Sequence, residues 1–179
     1  MSLKQLNGSY IAVDDRILFR FNTDDDSEYR LWLTRRITFF ILAATPHLVE
    51  QKLAQSHAKP TAKAMAQFQQ DVANEQTNLQ AAYQVATKFP LGAQPVLATD
   101  VKCTLIPLPT GDVLAFDWTL PAGAQLNFKL ALPMAQALRV LLERLAKQAH
   151  WLDGLPNLTA APDSSTSPLA PPADPKQVH

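Results

Sequence analysis

The chain has 179 residues, enough for one domain with a full hydrophobic core and a tail. Its 16 basic and 16 acidic residues cancel, which argues against a protein that binds polyanions through an overall basic excess. The single cysteine excludes an internal disulfide and fits a reducing compartment, and residues 1–16 contain no apolar signal segment. The longest apolar run, 37–44, is far shorter than the roughly 20 residues of a membrane-spanning helix. We therefore expect a cytoplasmic protein with no membrane contact.

The first predicted elements are two or three antiparallel strands between residues 10 and 33. Two runs carry apolar side chains at every second position, as strands with one buried face do. Their apolar members are Ile17, Phe19, Phe21, Tyr29, Leu31 and Leu33. The acidic segment 23–27 lies between the two runs and predicts a polar turn.

A helix is predicted next, because apolar residues recur at spacings of three and four from Ile37 onward. The members of this stripe are Ile37, Phe40, Ile41, Ala44 and Leu48. Thr34 is placed to cap the helix, since a threonine oxygen can accept a hydrogen bond from an unpaired amide of the first turn. Pro46 is expected to bend the helix or to restart it with Thr45 as a second cap.

Residues 60–88 are helix formers throughout and predict a long helix with a thin apolar stripe. The stripe is interrupted at residues 74–78, so this helix is too polar for the centre of a core. It is expected to form an outer layer or to pack against its copy in a dimer. Residues 89–95 are predicted to be a linker.

The second half repeats the order of strands and helix. Strands are predicted at 96–106, 113–119 and 125–132, with turns at 107–112 and 120–124 between them. Pro133 then opens an amphipathic helix. Its apolar side carries Met134, Leu138, Leu141, Leu142, Leu145 and Ala149. Residues 153–179 are rich in proline, serine and alanine without periodicity, which predicts a disordered tail.

The two halves share one pattern when residues 113–145 are moved back by 97 positions. Both apolar strand faces and the apolar helix stripe then coincide without a gap. Leu114, Phe116, Trp118, Leu126, Phe128 and Leu130 fall on Ile17, Phe19, Phe21, Tyr29, Leu31 and Leu33. The match predicts an α+β fold of two antiparallel strands-then-helix units, about 10–57 and 96–152, related by internal duplication. The long helical insertion 60–88 would separate the units within a single domain, 1–152.

One face of the first unit carries the candidate binding residues. Opposite its apolar face, the strands present basic and aromatic side chains, and two further arginines follow at the start of the helix. The candidates are Arg16, Arg20, Arg30, Trp32, Arg35 and Arg36. Arginine pairs with phosphate and tryptophan stacks on bases, so this face could bind a nucleic-acid single strand.

The same arginines also have an internal explanation, which the zero net charge of the chain favours. The strand arginines could pair with the nearby acidic residues Asp24, Asp25, Asp26 and Glu28, because antiparallel strands often carry cross-strand charge pairs. Arg35 and Arg36 stand where the helix dipole disfavours cations, which indicates a specific partner. An internal carboxylate is the partner we expect, rather than an external anion.

The sequence predicts no catalytic residues, no metal ligands and no cofactor. The histidines form no HExxH motif, and the five glycines form no phosphate-binding loop. The acidic run 24–28 lacks the glycine and the downstream glutamate of a calcium loop. Cys103 lies in a predicted strand without a histidine partner, which is typical of a core cysteine.

Two functions follow from these patterns. A duplicated strands-then-helix unit with a basic and aromatic sheet face resembles the Whirly and PUR-type single-strand nucleic-acid binders, over residues 10–152. That resemblance implies binding of single-stranded nucleic acid. The absent catalytic motifs, the thin stripe of 60–88 and the proline-rich tail favour a non-enzymatic interaction or scaffolding protein instead, working as a homodimer or with a protein partner. Catalysis at a site that cannot be named is the third alternative.

Overall fold

The computed structural model describes residues 3–56, 83–109 and 111–153. The predicted tail beyond Asp153 and residues 60–82 of the predicted insertion lie outside this part of the chain. Within it, the chain forms seven strands and two α-helices. They are β1 Leu3–Ile11, β2 Arg16–Thr23, β3 Glu28–Leu33, α1 Arg35–Ser56, β4 Val96–Leu97, β5 Asp100–Ile106, β6 Val113–Thr119, β7 Gln125–Ala131 and α2 Leu132–Gln148.

The strands form two sheets, which confirms the predicted α+β class. The first sheet has the order β1-β2-β3-β4 and the second has the order β5-β6-β7. All neighbouring strands pair antiparallel except β3 and β4, which are parallel. Helix α1 lies in the chain between the two groups of strands.

The alternating apolar residues form the core, as predicted. The side chains of Ile17, Phe19, Leu31, Leu114 and Phe116 are completely buried. Aromatic rings join the two sheets directly. The ring centroids of Phe21 and Phe128 lie 4.6 Å apart, and those of Phe19 and Trp118 lie 6.4 Å apart. Each such side chain contributes about 1.5–3 kcal/mol through burial, so this aromatic layer is a major source of stability.

Each helix contacts a strand of the other unit. Helix α2 packs against β1 as well as against β6 and β7, while α1 packs against β5 and against α2. Trp151, just after α2, is 2% exposed and bonds the end of this helix to the first unit. Its indole N–H donates to Asp15 Oδ1 at 2.7 Å, and its carbonyl accepts from Arg35 Nη2 at 2.7 Å. The two units therefore share one core instead of each burying its own.

Most of strand β1 lies before the predicted strands, and Gly8 explains why the pattern missed it. Gly8 pairs with Phe19, so it occupies the inner face of the sheet, where the pattern would need an apolar side chain. A Cβ atom at Gly8 would lie only 2.7 Å from Leu145 Cδ1 and 3.5 Å from Leu141 Cδ2. The close approach of α2 thus requires a glycine, which removes the apolar signal from the strand.

We expect Gly8→Val to lower the free energy of unfolding by about 1–3 kcal/mol, because a larger side chain in a filled core forces its neighbours to shift. Urea denaturation followed by circular dichroism measures the change. Ser9→Val is the matched control, since Ser9 pairs with Leu18 on the opposite face of the sheet. Equal stability of the two variants would contradict the packing of α2 against β1.

Helix α1 begins as predicted and continues differently. The Thr34 hydroxyl accepts from the Ile37 N–H at 3.4 Å, which confirms the predicted cap. The predicted restart at Pro46 is wrong, because α1 continues through Pro46 to Ser56. The Thr45 hydroxyl donates to the Ile41 carbonyl at 2.9 Å and so does not cap a new helix. Neither α1 nor any other described helix combines the length and the hydropathy that crossing a membrane requires.

The end of the predicted insertion is not helical. Residues 83–88 form no helix, and Lys88 makes an isolated parallel bridge with Ser27. The predicted strand 96–106 is also divided. The Ala98 N–H donates to the Trp32 carbonyl in the first sheet, whereas the Thr99 N–H donates to the Thr119 carbonyl in the second. The chain therefore changes sheets between these two residues.

The two units agree in their element positions. Strands β6 and β7 and helix α2 each begin 97 residues after β2, β3 and α1. The strand registers agree as well, because Ile17 pairs with Leu33 in the first unit and Leu114 pairs with Leu130 in the second. Origin by internal duplication remains a prediction.

Candidate functional site

The outer face of the first sheet holds four of the six candidate residues. Since Ile17, Phe19 and Leu31 face the core, the alternate side chains of β2 and β3 point away from it. These include Arg16, Arg20, Arg30 and Trp32, and every one of them is half-buried. Arg20 pairs directly with Arg30 across the strands, a like-charge arrangement that needs compensation.

The positive charge of Arg20 is stabilised by a neutral hydrogen-bond acceptor and by an aromatic ring. Its Nε and Nη2 atoms both donate to Asn7 Oδ1 on β1, the former at 3.2 Å. Its guanidinium carbon also lies 4.9 Å from the centre of the Tyr83 ring, within range of a cation–π interaction. The acidic partner that the sequence suggested for Arg20 is therefore replaced by Asn7 and Tyr83.

Arg30 has the acidic partner that the sequence suggested. Its Nε donates to Glu28 Oε1 at 2.7 Å, and the Glu28 side chain is completely buried. The Arg30 Nη1 atom donates to the Ala93 carbonyl at 2.8 Å, and the guanidinium lies 4.6 Å from the Phe89 ring centre. Glu28 accepts a further hydrogen bond from the Ala86 N–H at 3.2 Å. This ion pair links β3 to the chain that crosses above it.

Residues 83–93, here called the cover segment, lie across the basic face. The Gln84 carbonyl accepts from Asn22 Nδ2 at 2.8 Å, and the Gln84 N–H donates to Gln5 Oε1 at 3.1 Å. Tyr83 and Phe89 supply the rings above Arg20 and Arg30. Burial is the main cause of the raised pKa of the Tyr83 hydroxyl, followed by the charge of Glu28. One face of each guanidinium is thus occupied by an aromatic ring of the protein itself.

The acidic turn binds the cover segment rather than the arginines. The Asp26 carboxylate accepts from the hydroxyl and from the N–H of Thr87, and these bonds lower the pKa of Asp26. The Thr23 hydroxyl, and then that of Ser27, lower the pKa of Asp25. Both shifts favour the folded state above the ordinary carboxyl pKa, and this contribution is lost as the pH falls through the lowered values.

Arg35 and Arg36 are exposed and bind backbone carbonyls. Arg35 donates to the Trp151 carbonyl, as described above, and lies 5.3 Å from the Phe39 ring centre. Arg36 donates to the Thr99 carbonyl and forms a 3.5 Å ion pair with Asp100. Both partners in that pair are about two-thirds exposed, at 69% and 68%, so it contributes little energy. The expected carboxylate partner is present for Arg36, while Arg35 has a carbonyl instead.

Arg16 and Trp32 differ from the other candidates. Within residues 3–56, 83–109 and 111–153, neither side chain makes a hydrogen bond, an ion pair or a ring contact. The Trp32 backbone carbonyl is bonded to the Ala98 N–H at 3.0 Å. On the basic face, these two side chains are therefore the candidates without a partner among the described residues, and both are half-buried.

The outer face of the second sheet is open by comparison. Lys102, Asn127 and Lys129 are exposed, and Asp117 is half-buried among them. The Asn127 Nδ2 atom donates to Asp117 Oδ1 at 2.7 Å across β6 and β7. In the described chain, no segment comparable to residues 83–93 crosses this face.

No family model, curated protein or solved structure matches this chain.

The described residues contain no cluster suited to a metal, since no three histidine, cysteine, aspartate or glutamate side chains lie together there. The Cys103 thiol is half-buried, and burial, with a smaller effect of Asp117, raises its pKa to about 12. A thiol with that pKa stays protonated at neutral pH and is a poor nucleophile.

Several contacts of this face were not predicted from the sequence. Glu28 was one of four possible acidic partners, and only its spacing of two residues from Arg30 indicates that both lie on one face of β3. Tyr83 and Phe89 give no signal, because the sequence pattern around them predicts a helix and a linker.

Proposed function

We propose that this chain is a non-enzymatic interaction protein of the cytoplasm, working without metal or cofactor, that associates with its own copies and with a protein partner. The proposal is supported by the contrast between its two sheets. The first sheet uses its outer face internally, since Arg20, Glu28 and Arg30 are bonded within the chain. The second sheet leaves Lys102, Asn127 and Lys129 exposed. The lysines of this face are balanced by Asp100 and Asp117, and a polar sheet face without a basic excess suits a protein partner better than a polyanion.

The mass of the full chain in solution tests the self-association. Light scattering coupled to gel filtration at micromolar concentration should give a multiple of 19.7 kDa. The mass should rise with concentration if association is reversible, because binding follows mass action. A mass of one chain throughout would refute self-association.

Binding of single-stranded nucleic acid is a second proposal, and it is favoured by Trp32 and Arg16, which have no partner among the described residues. Stacking of one base on tryptophan is worth about 1–3 kcal/mol, so a small patch could bind weakly at low salt. Fluorescence anisotropy of a labelled long oligonucleotide at low salt measures this binding without relying on Trp32 as the reporter. Trp32→Ala should lower the affinity to the level of non-specific binding, whereas Trp32→Phe should retain part of it. Unchanged affinity in Trp32→Ala would exclude this face as the site.

A further inference from the structure

The two sheets differ in the backbone hydrogen bonding at the outer edges of β3 and β7. Strand β3 is bonded along its outer edge, because the Glu28 N–H donates to the Lys88 carbonyl at 2.7 Å and the Trp32 carbonyl accepts from the Ala98 N–H. Strand β7 is the counterpart of β3, 97 residues later. In the described part of the chain, β7 is the last strand of its sheet, and its outer edge carries no backbone hydrogen bond. An open edge of this kind is a template for another strand.

The shared register identifies the backbone groups at that edge. Because β6 and β7 pair as β2 and β3 do, the counterparts of Glu28 and Trp32 are Gln125 and Lys129. The N–H and C=O groups of Gln125, Asn127 and Lys129 therefore point outward. Their side chains lie on the exposed outer face, while Leu126 and Phe128 are buried in the core.

We propose that β7 pairs antiparallel with β7 of a second copy, about a twofold axis that passes through Phe128. This proposal rests on the self-association proposed above and names the surface that carries it. The two three-stranded sheets would join into one continuous sheet of six strands. Such an interface is isologous, so each copy contributes the same residues.

The charges and the strand length select this axis over its neighbours. An axis through Phe128 pairs the whole of Gln125–Ala131 with its copy and places Lys129 opposite Asn127. An axis through Lys129 would set two lysines opposite each other, which is destabilising. An axis through Asn127 would leave the last two residues of β7 without partners. Only the axis through Phe128 uses the full strand and avoids a like-charge pair.

The Asn127 side chain is oriented to complete the interface. Its Nδ2 atom donates to Asp117 Oδ1 at 2.7 Å within the same copy. Its Oδ1 atom accepts no hydrogen bond within the described residues, so it is left as an acceptor beside the open edge. In the proposed pair, that oxygen can accept a hydrogen bond from Lys129 of the second copy. The same bond forms twice because of the symmetry.

A second copy fits this edge better than the chain's own C-terminal residues. Residues 154–179 contain six prolines, and no seven consecutive residues among them lack proline. Proline has no N–H to donate to a neighbouring strand. Strand β7 contains no proline, so it can donate at every outward position along its length.

The first test removes one outward N–H from the full chain. Asn127→Pro should give a single-chain mass by sedimentation equilibrium at micromolar concentration, where the native chain is a dimer of twice 19.7 kDa. The variant should retain its fold, because proline is tolerated where an edge N–H faces solvent. Asn127→Ala is the matched control, since it loses the side chain and keeps the N–H. It should remain dimeric, with a dissociation constant raised by roughly 2- to 10-fold per hydrogen bond lost.

The second test checks the register and does not depend on proline. Asn127→Lys sets lysine opposite Lys129 in both symmetric positions, and should raise the dissociation constant roughly 3- to 30-fold. The double variant Asn127→Lys with Lys129→Glu should restore the affinity, since each lysine then faces a glutamate. With the axis through Asn127, the two new lysines would face each other and no rescue would occur.

The outcomes separate this proposal from the broader one. A dimer whose dissociation constant is the same in the native chain, Asn127→Pro and Asn127→Lys would overturn pairing through β7 and leave self-association intact. A monomeric native chain would overturn both, and protected amides at Gln125 and Lys129 in that monomer would assign the edge to another segment of the same chain. Loss of affinity in Asn127→Lys without rescue would overturn the axis through Phe128.

Discussion

Replacing Trp118 with alanine is expected to lower the free energy of unfolding by about 3–5 kcal/mol, the usual cost of removing a large buried aromatic side chain. Trp118 is completely buried and stacks on three other rings. Its ring centroid lies 6.0 Å from that of Phe128, 6.2 Å from that of Phe116 and 6.4 Å from that of Phe19. Since Phe19 belongs to the first sheet, the cavity would weaken both sheets. Guanidinium denaturation of the variant measures the loss.

Two control variants sharpen this expectation. Within the described chain, the buried Trp118 indole N–H has no hydrogen-bond partner. Trp118→Phe removes this unpaired donor along with some apolar area, so its cost should stay below about 2 kcal/mol. Val13→Ala changes a side chain that is 91% exposed and should alter stability by less than about 0.5 kcal/mol. If Trp118→Ala were as stable as Val13→Ala, the joint core of the two sheets would be refuted.

Glu28→Gln is expected to cost about 2–4 kcal/mol, because it leaves the Arg30 guanidinium without its charged partner in a largely buried site. The lower part of that range reflects the 22% exposure of the Arg30 side chain, which lets water screen the charge. Glutamine also accepts more weakly from the Ala86 N–H, so the cover segment should open more often. Thermal unfolding gives the stability change, and hydrogen exchange at the Ala86 amide gives the local opening.

A double-mutant cycle isolates the ion pair from other effects of the substitution. Arg30→Gln alone leaves Glu28 buried without a cation, while the combined variant has two neutral side chains. The combined loss should fall short of the sum of the single losses by about 0.5–3 kcal/mol. Asp24→Asn, on the exposed turn, is the matched carboxylate control and should be near neutral. Strict additivity of Glu28→Gln and Arg30→Gln would show that the pair contributes no coupling.

The alternating strands and the amphipathic helix could be predicted because their signal is local. Each apolar side chain of β2, β3, β6 and β7 repeats at the period of its own strand, and the cap at Thr34 depends on residues three positions away. Strand β1 could not be predicted in this way. Gly8 has no side chain because Leu141 and Leu145 of α2, more than 130 residues later, require the space. The residue pattern of a single strand carries no information about a packing partner so far away in the sequence.

The sequence predicted which residues lie on the candidate face, but it did not predict which groups their side chains bind. Alternation placed Arg20, Arg30 and Trp32 on one side of the sheet, where the structure has them. Whether arginines bind a ligand or the protein depends on which segment lies above them. Arg30 bonds to Ala93, 63 residues further along, and no helix or linker pattern encodes that contact. Local periodicity therefore identifies a face, while long-range packing decides whether it is free.

The packing of α2 against β1 has a consequence for biosynthesis. Trp151 bonds to Asp15 across 136 residues, so the inner surface around Gly8 stays uncovered until the second helix has left the ribosome. Until then, Phe19 and Phe21 lack Trp118 and Phe128, the rings of the second sheet that they contact in the folded protein. Proteins with contacts this distant in sequence tend to fold slowly, and their folding intermediates expose apolar surface that can aggregate. Synthesis of this protein should accordingly depend on chaperones that bind the nascent N-terminal half.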